Sequence, residues 1–286
     1  MPAPPPRSWN AYALTWRLPM IVWQVLFFIV PLCFLIVLSF WLVKNYRMEP
    51  AFVDKNWIKM FSRGYFWDAY WRTLGLACLS TIVTSLLAFP AAYALSFKSS
   101  QQSRRWAIFL LIIPFFTSYV VRAYAWQVIL AQQGVVNSLF AMVGLGPYVL
   151  LNSVFGTVVG YLTLTLPLVI ILQTLSMSNV DRSMIEAAWN LGCSRLRAVF
   201  TVIIPMAKVG LIIGALFCFI LSFGDFVSPY YLGGSKPPTL SILIIDTTKS
   251  GQQWPRAAVV AITMIVTLFV IAFTAVTLAY RKPRSR

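Results

Sequence analysis

A chain of 286 residues that is 59% hydrophobic and only 10% charged is too apolar to be a soluble globular protein. Its net charge of +16 comes from basic residues set beside apolar runs, where lipid headgroups and topology account for it better than nucleic acid does. With no histidine, and four cysteines in no CxxC pair, a zinc site and histidine-based catalysis are excluded and nothing requires a disulfide.

In chain order, MPAPPPRSWN opens a proline-rich stretch, 1–19, that reads as a disordered cytoplasmic leader. It has no small-residue cleavage site, so the first apolar run is expected to remain as a signal-anchor. Six apolar runs follow, 20–43, 73–97, 106–130, 156–177, 205–227 and 257–280, each about the length that crosses roughly 30 Å of hydrocarbon. Each must be helical, because lipid offers backbone groups no partner outside their own segment. Pro31, Pro90, Pro114 and Pro167 fall inside these runs, where neighbouring helices can satisfy the freed carbonyls. Trp23, Trp41, Tyr46, Trp71 and Trp106 lie near run ends, as interfacial aromatics do. Two shorter apolar stretches, 135–143 and 239–245, cannot span and are expected to lie at the membrane surface or dip partly into it. No internal repeat is found, which weighs against inverted-repeat secondary transporters. The expected fold is an all-α integral membrane protein with one transmembrane domain, 20–280, and a basic tail, 281–286.

Orientation follows from the basic residues. With both termini cytoplasmic, the inside segments hold 13 Lys/Arg and the outside segments nine, Arg122 being left within a run. Lys44 to Arg72 runs against this arrangement, diluted by Glu49, Asp54 and Asp68. The segment 131–155 has no basic residue, whereas Lys98, Arg104 and Arg105 and the tail are basic, so both termini inside is preferred.

Between the fourth and fifth runs lies a polar interlude, EAAWNLGCSRLRAVFTVIIP, from Glu186 to Pro205. Ser183 followed by Glu186 is a capping-box spacing, with Asp181 a competing cap upstream. Gly192 stops a short helix, Ser194 can cap a second, and Pro205 marks the next apolar run. The segment 178–204 therefore reads as helix, glycine turn, helix. Glu186-Ala187-Ala188, Gly192 and Val202-x-Ile204-Pro205 at these spacings resemble the EAA loop of permease subunits of ATP-driven, binding-protein-dependent importers. The family pattern has Ile and Leu where this chain has Val202 and Ile204. TSYVVRAYAW from Thr117, GVVNSL from Gly134 and GDFVSPYYLGG from Gly224 are similar to the spermidine/putrescine-type permeases and extend the likeness from the third run to near the C-terminus. The first third matches only in general character.

The resemblance implies a multi-pass protein of a bacterial inner membrane. Its expected partners are a pair of cytoplasmic ATP-binding subunits, a second and homologous permease subunit forming a heterodimer, and an extracytoplasmic solute-binding protein. It implies that the first loop helix docks into a groove on the ATPase, with Ala187 and Ala188 permitting close approach, while Glu186 caps its own helix, pairs with the partner, or does both. The sequence has no GxxxxGK[S/T], so ATP is expected to be used by the separate subunit and this chain is expected to hold no cofactor, no metal and no catalytic residue.

Ionisable groups inside spans are costly and face a cavity or a partner. Phe115, Tyr119, Arg122 and Trp126, at i, i+4, i+7 and i+11, fall on one face of the third run, and Cys218, Ser222 and Asp225 on one face of the fifth. Asp225 is a candidate for pairing with an ammonium group, and Tyr119, Trp126, Tyr230 and Tyr231 for cation–π faces, if the cargo is a polyamine. Arg122 runs against a purely cation-welcoming path, and Arg122 with Asp225 are equally placed to pair with each other. Related permeases serve phosphonates, iron and opine-type solutes as well, so these cargoes remain open. A self-sufficient secondary transporter is disfavoured by having only two ionisable residues in the spans, Arg122 and Asp225, apart from Lys208 in the first turn of the fifth, and a membrane enzyme by the missing histidine and acidic pair.

Overall fold

Helix accounts for every apolar run over residues 11–249 and 251–281, which the computed structural model describes. Residues 1–10 and 282–286, most of the expected leader and tail, lie outside the described residues. Helix is already under way at Ala11, so 11–19 is not the irregular leader expected from its prolines. Among the described residues five helices are long and apolar enough to cross a membrane, and one pair of helices bent by 93° passes the same test taken together, giving up to six. The chain divides into two units, residues 1–63 with 244–262, and residues 64–243 with 263–286.

In the first unit, α1 (Trp16–Ser39) is followed by an antiparallel hairpin of β1 (Leu42–Lys44) and β2 (Arg47–Glu49), then by α2 (Lys55–Phe61). The first span was expected to run to 43, but it stops at Ser39. Buried Asn56 explains the stop: its Nδ2 donates to the carbonyls of Ser39 (3.0 Å) and Trp41 (2.7 Å), and Trp57 Nε1 donates to Ser39 Oγ. Asn45 and Tyr46 take positive φ at the hairpin tip, and Lys44 pairs with Glu49 at 3.1 Å. Arg256, helped by partial burial and by Arg63 and Lys55, pushes the Lys59 ammonium below its usual range.

In the second unit, α3 (Gly64–Lys98), α7 (Val154–Ser178) and α9 (Arg195–Gly224) pack against one another, linked by α4 (Gln101–Phe116), α5 (Tyr119–Leu130), α6 (Val135–Met142) and α8 (Arg182–Asn190). Lipid supplies no hydrophobic drive between helices, so close approach by small residues and interhelical hydrogen bonds must hold them. Ala77, Ser80, Thr84, Ala88 and Ala92 supply that buried face on α3. Thr84 bonds Thr165 at 3.3 Å, Ser80 accepts from Ser222 at 3.3 Å, and Ser96 donates to the Thr174 carbonyl at 3.2 Å. α3 begins at Gly64, well before the expected residue 73. At 1.5 Å per residue it is about 50 Å long, so it extends past the hydrocarbon or tilts.

Two prolines are absorbed the same way. Pro31 and Pro205 each follow a π-helical turn, Val25–Ile29 and Val199–Ile203, that contains the residue four positions back. A proline ring clashes with that residue's carbonyl, and the wider turn moves it aside. The bonds run instead from Val30 N–H to the Val25 carbonyl and from Ile204 N–H to the Val199 carbonyl.

The third run, expected as one helix over 106–130, is two. Pro114 opens a 3₁₀ turn, Ile113–Phe116, Thr117 is extended, and α5 restarts after Ser118 with the chain bent by 93°. The fifth run ends at Gly224, and the chain restarts as α10 (Val227–Tyr231), so Asp225 and Val227 are not on the span. α11 (Leu240–Lys249) covers the apolar stretch expected to lie at the membrane surface or dip partly into it, and its Leu240, Ile242 and Leu243 are buried in protein. The last helix is α12 (Trp254–Tyr280).

Candidate functional site

The polar interlude builds itself from local bonds. Asp181 stands at the N-cap of α8 in an extended conformation, and its Oδ1 accepts the Ser183 N–H at 3.0 Å. The cap is therefore Asp181 and not the Ser183–Glu186 box: α8 starts at Arg182, leaving Ser183 already inside it, and an aspartate adds favourable charge at the helix N-terminus. The bonds from Ser183 hold the Asp181 carboxyl below its usual range. At the other end Gly192 N–H donates to the Trp189 carbonyl (2.9 Å) and Cys193 N–H to the Ala188 carbonyl (3.0 Å), the paired bonds of a Schellman stop. That motif requires a left-handed residue, and Gly192 supplies it at φ +80°. Ser194 Oγ then accepts the Arg197 N–H at 3.4 Å and starts α9, which runs through Pro205 into the fifth span without a break.

α8 has two faces. Ile185 is buried with Ala92, Met177, Val180, Ile203 and Ala207, which seats the helix on α3, α7 and α9. Glu186 and Ala187 are exposed, Ala188 is half-buried, and Leu191 at the turn is 88% exposed. Glu186 also lines a cleft of about 150 Å³ with Tyr93, Phe97, Arg182 and Trp189. Leu196 and Phe200 continue the exposed apolar surface, with Arg195 and Arg197 beside them. An apolar, basic projection fixed to the spans by one buried isoleucine can take a second protein and pass its movement on.

The second set of residues is brought together by long-range contacts. Tyr119 Oη donates to Asp225 Oδ2 at 2.6 Å and also contacts Ser228 Oγ. Asp225 accepts two further bonds, from the N–H groups of Val227 (2.8 Å) and Ser228 (3.1 Å), so its carboxylate caps α10. It is 8% exposed. Arg122 does not pair with Asp225: its Nη1 donates to the Thr163 carbonyl at 2.9 Å, and its guanidinium lies over the Tyr119 ring at 5.7 Å. Thr163 is four residues before Pro167, which has no N–H to give it, so Arg122 satisfies the carbonyl that the proline frees. Phe115 lies before the chain break and does not share a helix face with Tyr119, Arg122 and Trp126. Trp126 is half-buried on α5. Tyr230 and Tyr231 gather with Tyr124, which sequence reasoning missed, at centroid distances of 5.0 Å (Tyr230–Tyr231) and 4.6 Å (Tyr124–Tyr231). Tyr124 and Tyr230 are each 50% exposed, leaving aromatic faces open. Thr163 was legible from its distance to Pro167, whereas nothing in the spacing pointed to Ser228.

The family model described as binding-protein-dependent transport system inner membrane component matches residues 84–284. The chain is 27% identical over 256 residues to the spermidine/putrescine transport system permease protein PotB of Haemophilus influenzae, covering 88% of each chain. A bacterial ABC transporter involved in the import of the acidic polysaccharide alginate has a chain of the same fold, with a TM-score of 0.77 at 19% identity over 97% of both chains. That alginate transporter in complex with alginate pentasaccharide-bound periplasmic protein gives a TM-score of 0.72 at 18% identity, over 96% of this chain and 95% of the other.

Proposed function

Because this chain belongs to the binding-protein-dependent transport system inner membrane components and is a permease subunit of an ABC importer, we propose that its cargo is a polyamine and that α8 is its contact with the ATPase. The observation that carries the ATPase contact is the exposed Glu186–Leu191 surface on a helix anchored to the spans through Ile185. Glu186 leaves capping to Asp181, which frees its carboxylate for a basic group on the partner. Ala187 and Ala188 let that partner approach the backbone, Gly192 sets the angle between α8 and α9, and Pro205 marks where α9 enters the membrane. On this reading the loop and both termini are cytoplasmic, a pair of ATP-binding subunits supplies the energy, a homologous permease completes the pathway, and a solute-binding protein delivers cargo from outside.

The polyamine assignment is supported by the likeness to the spermidine/putrescine permease and by the open faces of Tyr124 and Tyr230, which suit ammonium groups. Asp225 is filled by three protein donors and contributes no free carboxylate, so the aromatic faces carry this reading.

The test is vesicle reconstitution with the ATPase, the second permease and the binding protein. Spermidine or putrescine is expected to stimulate ATP hydrolysis and uptake. Stimulation by a phosphonate but not by spermidine overturns the cargo. Glu186→Lys is expected to abolish co-purification of the ATPase from an otherwise folded chain, and full association and uptake in that variant overturn the coupling role.

A further inference from the structure

Three interrupted spans meet at the first turn of α5. The third breaks at Thr117–Ser118, the fourth carries Pro167 with the orphaned Thr163 carbonyl behind it, and the fifth stops at Gly224 and restarts at Val227. Two side chains one helical turn apart serve the other two interruptions: Tyr119 reaches Asp225 and Ser228, and Arg122 reaches Thr163.

The block on the far side of these contacts is firmly seated. Ser228 and Leu232 are fully buried, and a Cβ on Gly160 of α7 would lie 2.5 Å from Ser228 Oγ. α5 is seated lightly by comparison, burying only Ala123 and Leu130 of its 12 residues, and α4 on the other side of the break buries none. An element with little apolar burial and a break at one end belongs to the low-stability part of a fold. Because both polar contacts lie within one turn of the break, they fix its angle.

We propose that Tyr119 and Arg122 are a latch that holds α5 on the α7–α10 block, and that the latch opens when the permease changes the side to which it is accessible. Asp225 is then a positioning residue, acting on α5 through Tyr119, and not a cargo ligand. The opening step rests on the reading of the chain as part of an ATP-driven importer, whereas the holding role does not.

Two measurements test it. In the purified chain, amide exchange over 119–130 is expected to run about tenfold faster in Tyr119→Phe, the factor one charge-assisted hydrogen bond is worth, while 154–178 keeps its rate. Unchanged exchange over 119–130 overturns the latch. In the reconstituted complex, Tyr119→Phe and Asp225→Asn are each expected to raise cargo-free ATP hydrolysis and lower uptake per ATP. The double variant should lose less than the sum of the singles, since both weaken the Tyr119–Asp225 contact. If Asp225→Asn instead raises the KM for uptake with hydrolysis still tied to cargo, Asp225 is a cargo ligand and the proposal fails. Ser228→Ala keeps the carboxylate and its backbone bonds and removes the other contact of Tyr119, so it still reads the latch should Asp225→Asn not assemble. A wild-type complex without cargo-dependent hydrolysis would refute the importer reading, while the exchange measurement would still decide the holding role.

Discussion

The loop at 181–194 and the junction around Tyr119 both interrupt the helical spans, but their bonds reach very different distances along the chain. In the loop, Asp181 caps Ser183, Ser194 caps Arg197 and Gly192 closes on Trp189, each bond within three residues. At the junction Tyr119 and Asp225 are 106 residues apart and Arg122 and Thr163 are 41 apart. A locally bonded element keeps its shape when its surroundings move, which suits a part that transmits force as a rigid piece. A junction assembled from three spans has no shape of its own, and it changes when any of them shifts.

That contrast can be broken most severely at Gly156. A Cβ there would lie 2.7 Å from the Leu232 carbonyl oxygen and 2.9 Å from that of Leu150, both backbone atoms that cannot swing away. Gly156→Val is expected to destabilise the chain by about 3 kcal/mol or more, the upper range for overpacking, and to cost most of the folded yield in detergent. Protection of 182–190 in whatever folds should be unchanged, and its loss would show that the loop depends on the junction after all.

Gly192→Val separates the two regions from the other side. Nothing lies within 4 Å of Gly192, so the cost comes from φ +80° alone. It should be about 1–2 kcal/mol, felt as a lower melting temperature and weaker ATPase retention, with exchange over 119–130 untouched. Gly192→Asn, which tolerates the left-handed region, should recover most of the loss.

The smallest effect is expected from Asp181→Ala. The Asp181 carboxyl sits below its ordinary value of 3.8 because Ser183 bonds its charged form. A depressed folded pKa means that its contribution is present above the unfolded value and is lost as pH falls through the folded one. Exchange of 182–190 should therefore accelerate in Asp181→Ala at neutral pH, and the difference from wild type should vanish as pH falls through the depressed pKa of Asp181. A difference that persists there would assign the cap to another group.

Residue type and near neighbours decided much of what could be read in advance. Gly192 and Ser194 act as their spacing predicts, because caps and turns are settled within a few residues. Asp181 over Ser183 was a choice between two local caps, and α8 begins early enough to favour the aspartate. The apolar runs were legible because lipid forces any such stretch into helix. The one-helix reading of the third run failed at Thr117–Ser118, since hydropathy is blind to a bend in which both halves stay apolar. The end of the first span at Ser39 depends on Asn56, a residue 17 positions on that captures carbonyls the helix would otherwise keep.

The sequence by itself determined the membrane class, the helical content and the helix-turn-helix of the polar loop, all consequences of composition and short-range bonding. Only the tertiary structure decided what Arg122 and Asp225 do. Read one at a time they are costly charges in search of a partner or a cargo. In the fold, Arg122 answers the carbonyl freed by Pro167 and Asp225 collects Tyr119 and the start of α10. Charges in a low-dielectric span are settled by whichever unpaired polar groups the packing brings within reach, and the spacing of Arg122 or Asp225 along the chain does not record which of these it meets.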